Sequence, residues 1–267
     1  PLPGYSKSRP PTAPPPSEAD LSRSTAVAPG TMGRTTLFRR RGAEPRSDNR
    51  FFPLVPGTQF RYRSETEDGV ETEVVTVTHR TREIAGVETI VVTDVVRLDG
   101  KVIERTSDYY AQDEEGAVWY FGEDALSIDP DTGERSTEGS WLAGEDGAEP
   151  GIIMKSDPQV GDSYNEENAP DIAEDRARVL AVDATAAVPR GRYNGCLQTE
   201  NTTPLEPTVL EHKLYAPGLG LVLEIDVAGG GARNELVSVT RPGYDGDDDE
   251  RRDRGHGPGG RPRPDND

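Results

Sequence analysis

Apolar and polar residues alternate with a period of two through much of the chain between residues 51 and 241. The clearest runs are "ETEVVTVTHRTREI" and "GVETIVVTDVVRLDGKVIERTSDYYAQ", and their β-branched residues favour strands. Pairs ending in glycine, among them Asp68-Gly69 and Asp99-Gly100, separate the runs and are typical of tight hairpins. The pattern predicts an antiparallel meander with strands at residues 58–66, 71–84, 87–98, 101–112 and 117–123.

The second half of this region repeats the first at an offset of 105 residues. Tyr110-Ala111 corresponds to Tyr215-Ala216, and Gly86 corresponds to Gly191. Self-similarity at a fixed offset indicates an internal duplication, with repeats at about 51–123 and 157–241 and a connector at 124–156.

A meander half cannot easily bury both of its faces alone. We therefore predict one all-β domain over residues 51–241. Its fold class is a duplicated antiparallel meander that forms a curved sheet, a half-barrel or a two-sheet sandwich.

The two ends of the chain have a different composition. Residues 1–50 are rich in Pro, Ser, Thr and Arg, and residues 242–267 are rich in Gly, Pro and charged residues. Neither segment has enough apolar material to offset chain entropy, so we predict that both are disordered tails.

Charge narrows the range of partners. The chain carries a formal charge of −19. Since residues 1–50 carry +5 and residues 242–267 carry −3, the middle carries −21. Such a surface repels phosphates, which argues against a nucleic-acid or anionic-membrane role. No run approaches 18 apolar residues, so the sequence predicts no transmembrane segment.

The aromatic residues suggest a place for a ligand. The stretch "YYAQDEEGAVWYFGE" is the densest aromatic patch in an aromatic-poor chain. In "ETIVVTDVV" both faces of a strand are apolar, so something must cover each face, either the other repeat or a ligand. Packing between the repeats is the simpler alternative. The candidate ligand-groove residues are Tyr110, Trp119, Phe121, Trp141 and Tyr215.

Catalytic and metal-binding motifs are weak in this sequence. The segment "SIDPDTGER" offers Asp129, Asp131 and Glu134 to calcium, but it lacks the third oxygen position, the central glycine and the distal glutamate of an EF-hand loop. The lone Cys196 is expected to be a buried structural thiol. We predict no cofactor, with calcium as the alternative, and no catalytic residues.

Four segments, "FFPLVPGTQFRY", "DYYAQDEEGAVWYFGED", "EGSWLAGEDGAEPGIIM" and "YAPGLGLVLE", resemble those of a group of uncharacterised bacterial exported, lipoprotein-type β-rich proteins. The resemblance implies a curved antiparallel sheet and export to the cell envelope or outside the cell, and it supplies no chemistry. The sequence begins at Pro1 and shows no signal peptide, so export is implied by the resemblance alone.

The function expected from these observations is that of a non-enzymatic envelope protein that binds an apolar or lipid-like ligand on a curved sheet. One alternative is a structural or protein-interaction domain, with an envelope protein as its partner. Another is a calcium-binding protein or a carboxylate-based hydrolase. The hydrolase would gain support if Glu123, Asp124 or Glu145 were buried beside another carboxylate.

Overall fold

The structure, a computed structural model, describes residue 38, residues 46–228 and residues 231–242. These residues form one curved, unclosed antiparallel sheet of 14 strands, which confirms the predicted all-β class. The strands are β1 (Gln59–Thr66), β2 (Gly69–Ile84), β3 (Val87–Leu98), β4 (Lys101–Gln112), β5 (Val118–Ile128), β6 (Arg135–Ser136), β7 (Trp141–Leu142), β8 (Gly151–Met154), β9 (Ser163–Asn165), β10 (Arg176–Val188), β11 (Gly191–Thr202), β12 (Leu210–Ala216), β13 (Gly220–Ala228) and β14 (Arg233–Thr240). Within the described ranges no helix is long and apolar enough to cross a membrane.

Two five-stranded meanders lie side by side in this sheet. The strand order is β6-β5-β4-β3-β2-β1-β14-β13-β12-β11-β10-β9, so β1–β5 and β9–β13 run across the sheet in the same sense, and β14 joins them. Adding 105 to the bounds of β3 gives residues 192–203, and β11 spans Gly191–Thr202. The strand positions therefore follow the offset seen in the sequence.

The hairpin turns have the backbone geometry that their sequences favour. Ala85 and Gly86 have φ angles of 48° and 79°, and Asp99 and Gly100 have φ angles of 48° and 85°. Positive φ at both central residues is the geometry of a type I′ turn, which matches the twist of the flanking strands. Of the strands that these turns connect, β3 and β4 have the bounds predicted from alternation, and β2 begins at Gly69, two residues before the predicted start at residue 71.

The connector and the start of the folded region depart from the sequence prediction. Within residues 124–156, β6, β7 and β8 all pair with β5, which itself continues to Ile128. Ordered structure also begins before residue 51, because Ser47 and Asn49 are buried. The Asn49 amide donates to the carbonyls of Gly116 and Lys155, contacts that composition does not reveal. The other residues of the predicted disordered tails fall almost entirely outside the described residues.

The curvature of the sheet is visible in the contacts of one ring. Phe52 lies 5.3 Å from the Tyr110 ring and 6.5 Å from the Tyr215 ring, measured between centroids. Tyr110 is on β4 and Tyr215 is on β12, six positions apart in the strand order. In a flat sheet these strands would be about 29 Å apart, at about 4.8 Å per strand. The sheet therefore curls around Phe52, and the face that carries Tyr110 and Tyr215 is its interior face.

The two ends of the curled sheet meet through the backbone. An isolated antiparallel bridge pairs Glu149 with Asn168, and the Glu149 amide donates to the Asn168 carbonyl at 3.0 Å. Close approach continues at Gly151, where an added Cβ would lie 2.0 Å from the Glu166 carbonyl oxygen. Glycine at this position allows β8 to pass next to the residues that follow β9.

A bulge in β5 turns an acidic side chain toward the interior. Asp108 pairs with Glu123, whereas Tyr110 pairs with Tyr120, so β5 has one extra residue between these pairs. Gly122 lies in this interval with a φ of 121°. Because the bulge breaks the alternation, Tyr120 and Glu123 both face the interior, which is a common use of β-bulges near functional sites.

We predict that Gly122→Ala is strongly destabilising. An added Cβ would lie 2.1 Å from the Trp141 carbonyl oxygen, and alanine at positive φ adds about 1–2 kcal/mol of strain. We expect a loss of about 3 kcal/mol or more in the free energy of unfolding, measured by urea denaturation. The control is Gly86→Ala, which also has positive φ but has nothing within 4 Å of the new Cβ. Equal losses in the two variants would contradict the steric explanation.

Candidate functional site

The folded protein buries an uncommon number of carboxylates. Lys213 is the one fully buried cation in the part of the chain that the structure describes. Acidic side chains are rarely buried without a partner, because transfer of a charge from water costs several kcal/mol. Such a group is a candidate functional site. The carboxylates that are less than 5% exposed are Glu73, Asp94, Asp108, Glu123, Glu166, Glu167 and Glu224.

A tyrosine bridges two of these carboxylates. The Tyr120 hydroxyl donates to Asp108 Oδ1 at 2.7 Å, and it lies 3.3 Å from Glu123 Oε2. A hydroxyl has one proton to donate, and the shorter contact takes it. The Glu123 contact is then satisfied when Glu123 is protonated and donates to the tyrosine oxygen. The bulge at Gly122 positions Glu123 for this contact.

Burial raises the pKa of both carboxylates in this pair. For Asp108 the pKa rises from 3.8 to about 6, mainly because its charged form is desolvated, and the hydrogen bond from Tyr120 lowers it in part. The pKa of Glu123 is raised well above its usual value by burial, with Glu167 and Asp108 adding repulsion. The pair can therefore hold a proton near neutral pH.

A second buried group surrounds Lys213 on β12. Its Nζ lies 3.5 Å from Glu211 Oε2 and 4.0 Å from Glu224 Oε1. Burial lowers the pKa of Lys213, but Glu224, Glu211 and Glu166 more than offset this effect, so the net pKa is raised. Lys213 therefore stays charged and compensates its acidic neighbours.

Glu166 lies beside the lysine group. Burial raises its pKa to about 7, although Lys213 lowers it. Asn201 Nδ2 donates to Glu166 Oε2 at 2.6 Å, while Oε1 has no hydrogen-bond partner among the described residues. This residue is a further proton-holding group with a pKa near neutrality.

A small cleft opens on the interior face near Glu73. It encloses about 40 Å³, between the first meander, the β12–β13 turn and the segment that contains Phe52. The walls are mostly apolar, and Glu73 supplies the one carboxylate among the lining residues. Asn234 Nδ2 donates to Glu73 Oε2 at 2.6 Å, whereas Glu73 Oε1 has no partner among the described residues. The aromatic lining residues are Phe52, Phe60, Tyr62 and Tyr110.

The structure does not bring the five predicted groove aromatics together. Tyr110 and Tyr215 face the interior, and Phe52, a residue of the chain itself, fills the space between them. Trp119 and Phe121 lie on the outer face of β5, where both contact the Phe38 ring edge-on. Trp141 is buried against Tyr120, with the rings at 87°. Alternation along β5 explains why residues 119 and 121 face away from the cleft.

The predicted calcium ligands lie in an exposed turn after β5. Asp129 Oδ1 accepts hydrogen bonds from the backbone amides of Asp131 and Thr132, and these bonds lower the pKa of Asp129. Its carboxylate therefore shapes the turn. Across the described ranges, no group of three or more His, Cys, Asp and Glu side chains is placed to hold a metal ion.

The predicted buried thiol is found. Cys196 is free and fully buried on β11. Burial also raises the pKa of this thiol, which keeps it protonated and unreactive at neutral pH.

Glu123 was considered as a buried carboxylate for a hydrolase, whereas the other residues of the acidic interior were missed in the sequence, although one signal was present. In "ETIVVTDVV", Asp94 shares a strand face with Ile90, Val92 and Val96 by alternation. All four side chains are buried. Asp94, an acidic residue on an otherwise apolar strand face, was therefore the sequence signal for the acidic interior. The contribution of Glu123 could not be found in this way, because the bulge at Gly122 breaks the alternation.

Comparisons with known proteins show two similar solved structures. One is a candidate exported protein with a YmcC-like fold from Bacteroides fragilis, with a TM-score of 0.43 and 14% identity over 72% of this chain and 100% of that chain. The other is a candidate lipoprotein from Parabacteroides distasonis, with a TM-score of 0.40 and 11% identity over 72% of this chain and 99% of that chain. No protein-family model matches the chain, and no curated protein matches it. We therefore base the functional proposal on this chain's own residues.

We predict that stability falls as the pH rises from about 4 to about 7. The raised pKa values of Asp108 and Glu166 mean that, in this window, the folded state holds protons that the unfolded state has released. Linkage then lowers the free energy of unfolding with increasing pH. The raised pKa of Asp108 changes the free energy of unfolding across this window by on the order of 3 kcal/mol, at about 1.4 kcal/mol per pKa unit.

The measurement is the urea midpoint of the wild type, Asp108→Asn and Asp183→Asn at pH values across this window. The asparagine at position 108 can still accept the hydrogen bond from Tyr120, so we expect a weaker pH dependence in this variant. Asp183 is exposed on β10, so its variant should follow the wild type. A wild type that becomes more stable between pH 4 and pH 7 would show that the interior carboxylates are ionised in the folded state.

Proposed function

We propose that the protein is a non-catalytic binding protein of the bacterial cell envelope, whose interior cleft takes a small ligand with an apolar body. The supporting observation is the cleft itself. It lies where the two meanders meet, with aromatic and aliphatic side chains from the first and Leu219 and Leu221 from the second. An apolar lining with few polar groups is typical of ligand sites, and the volume of about 40 Å³ holds a few atoms of a ligand.

The position of the cleft also favours binding. Pro53 and Leu219 are partly exposed at its rim, while Val77 and Val92 at its base are fully buried. A ligand can therefore enter at the rim and displace water from apolar walls, which contributes about 25 cal/mol per Å² of buried apolar surface. The segment with Phe52 forms one wall.

The location in the cell envelope is part of the proposal. It is supported by the resemblance of the four quoted segments to bacterial exported proteins.

A carboxylate-based hydrolase is the second candidate, because Glu123 is buried beside Asp108. It ranks below binding because neither residue lines the cleft. Asp124 and Glu145 line a different hollow of about 170 Å³, but the Asp124 side chain is 57% exposed and paired with Arg82. If the protein turned over chromogenic esters or glycosides and Glu123→Gln abolished this activity, the hydrolase would be favoured over the binding protein.

We predict that Leu219→Trp blocks the cleft. The probe is n-hexanol, and binding to the full chain is followed by NMR chemical-shift titration. Because Leu219 lies at the rim, a tryptophan there should fill the entrance, and the affinity for hexanol should fall by about tenfold or more. Leu205→Trp is the control, since Leu205 is 43% exposed and is not part of the cleft.

Native mass spectrometry of the full chain, purified from a bacterial periplasm, gives an independent test. A bound mass that is lost on organic extraction would support the proposal. Absence of such a mass, together with hexanol binding that is equal in both tryptophan variants, would favour a protein-interaction domain.

A further inference from the structure

We propose that the cleft binds the ammonium group of an alkylamine, with Glu73 as its counter-ion. This inference rests on the proposed function, because it specifies the head group of a ligand in the same cleft. It is carried by the combination of one buried carboxylate and a wall of aromatic rings.

Glu73 lines the cleft and has one carboxylate oxygen without a hydrogen-bond partner among the described residues. Its side chain is 3% exposed and lines the cleft. One oxygen, Oε2, accepts from Asn234, while the other, Oε1, has no partner among the described residues. Leaving a buried acceptor without a donor costs about 1–3 kcal/mol. An ammonium group has three donors and no acceptor, so it matches this oxygen in both charge and hydrogen bonding.

The rings around Glu73 suit an organic cation. Phe60 and Tyr62 project from β1 with nearly parallel rings, 22° apart, and Phe52 and Tyr110 complete the aromatic lining. The Tyr62 hydroxyl already donates to the Leu221 carbonyl, which fixes its ring. Aromatic faces attract ammonium groups by about 0.5–2 kcal/mol, and more when water is excluded.

The surrounding charges add to the attraction for a cation. The charged groups that act most strongly on Glu73 are acidic: Asp94 on β3, Glu224 on β13 and Glu104 on β4. Burial raises the pKa of Glu73, Asp94 and Glu224 raise it further, and the hydrogen bond from Asn234 lowers it. A bound ammonium group would favour the ionised carboxylate and offset this repulsion.

The cleft is better suited to an amine than to a metal ion. Calcium needs six to eight oxygen ligands and magnesium an octahedral set, whereas one carboxylate lines this cleft and the other walls are mostly apolar. About 15 Å³ is enough for one water molecule, so the 40 Å³ of the cleft can hold an ammonium group with its first carbon atoms. The rest of an alkyl chain would extend toward Pro53 and Leu219 at the rim.

The test compares n-hexylamine, n-hexanol and hexanoate as probes of the full chain, by NMR titration at mildly alkaline pH. The amine is still protonated under these conditions. We expect hexylamine to bind at least tenfold more tightly than hexanol, and hexanoate not to bind. Equal binding of hexylamine and hexanol would overturn the ammonium inference and leave the proposed function standing. Binding of neither would overturn both.

Two variants separate specific binding from general attraction to an acidic protein. Glu73→Gln should reduce hexylamine affinity by at least tenfold more than it reduces hexanol affinity, since glutamine keeps the acceptor for Asn234 and loses the charge. Phe60→Leu keeps an apolar side chain, removes a ring face and should weaken hexylamine binding more than hexanol binding. The control is Glu83→Gln, an exposed position on the same strand. If hexylamine binds equally to the Glu73 and Glu83 variants, the attraction is nonspecific and the inference is wrong.

Discussion

A single-layer sheet with an apolar face must cover that face, and this constraint organises the whole protein. The sheet meets it by curling until strands six positions apart contact the same Phe52 ring. The second meander supplies enough strands for the curl, since one five-stranded meander would leave its apolar face exposed. The bridge between Glu149 and Asn168 then ties the two ends of the curled sheet together.

The curl also explains the electrostatics. Side chains that would be solvated on a flat sheet become enclosed, and carboxylates from several strands share one low-dielectric space. Their charged forms are disfavoured by desolvation and by one another, so the pKa values of Asp108 and Glu166 rise toward neutrality. Lys213 compensates part of this charge, and Tyr120 and Asn201 supply hydrogen bonds. Burial of these carboxylates costs desolvation energy that a purely apolar interior would not.

The two meanders carry different chemistry at positions related by the 105-residue offset. The 105-residue offset relates Tyr110 to Tyr215, and both still contact Phe52. The same offset relates Asp108 to Lys213, so an acid in one meander corresponds to a base in the other. The related tyrosines therefore share a packing role, and the related charged residues have opposite charges. The cleft lies at the meeting of the halves and uses residues from each.

The sequence by itself determined most strands of the first meander and their hairpins, and it indicated the repeat. Each of these depends on local preferences: alternation, β-branched residues and glycines at positive φ in the turns. Tertiary structure alone decided that Phe52 fills the space between Tyr110 and Tyr215. It also decided that Trp119 and Phe121 face outward. The inward turn of Glu123 at the Gly122 bulge was likewise decided by tertiary structure. These outcomes depend on curvature and on one extra residue in a strand, and neither leaves a periodic signal in the sequence. The burial of Glu73 beside aromatic rings was also decided by tertiary structure, because strands that are far apart in the chain must enclose one space.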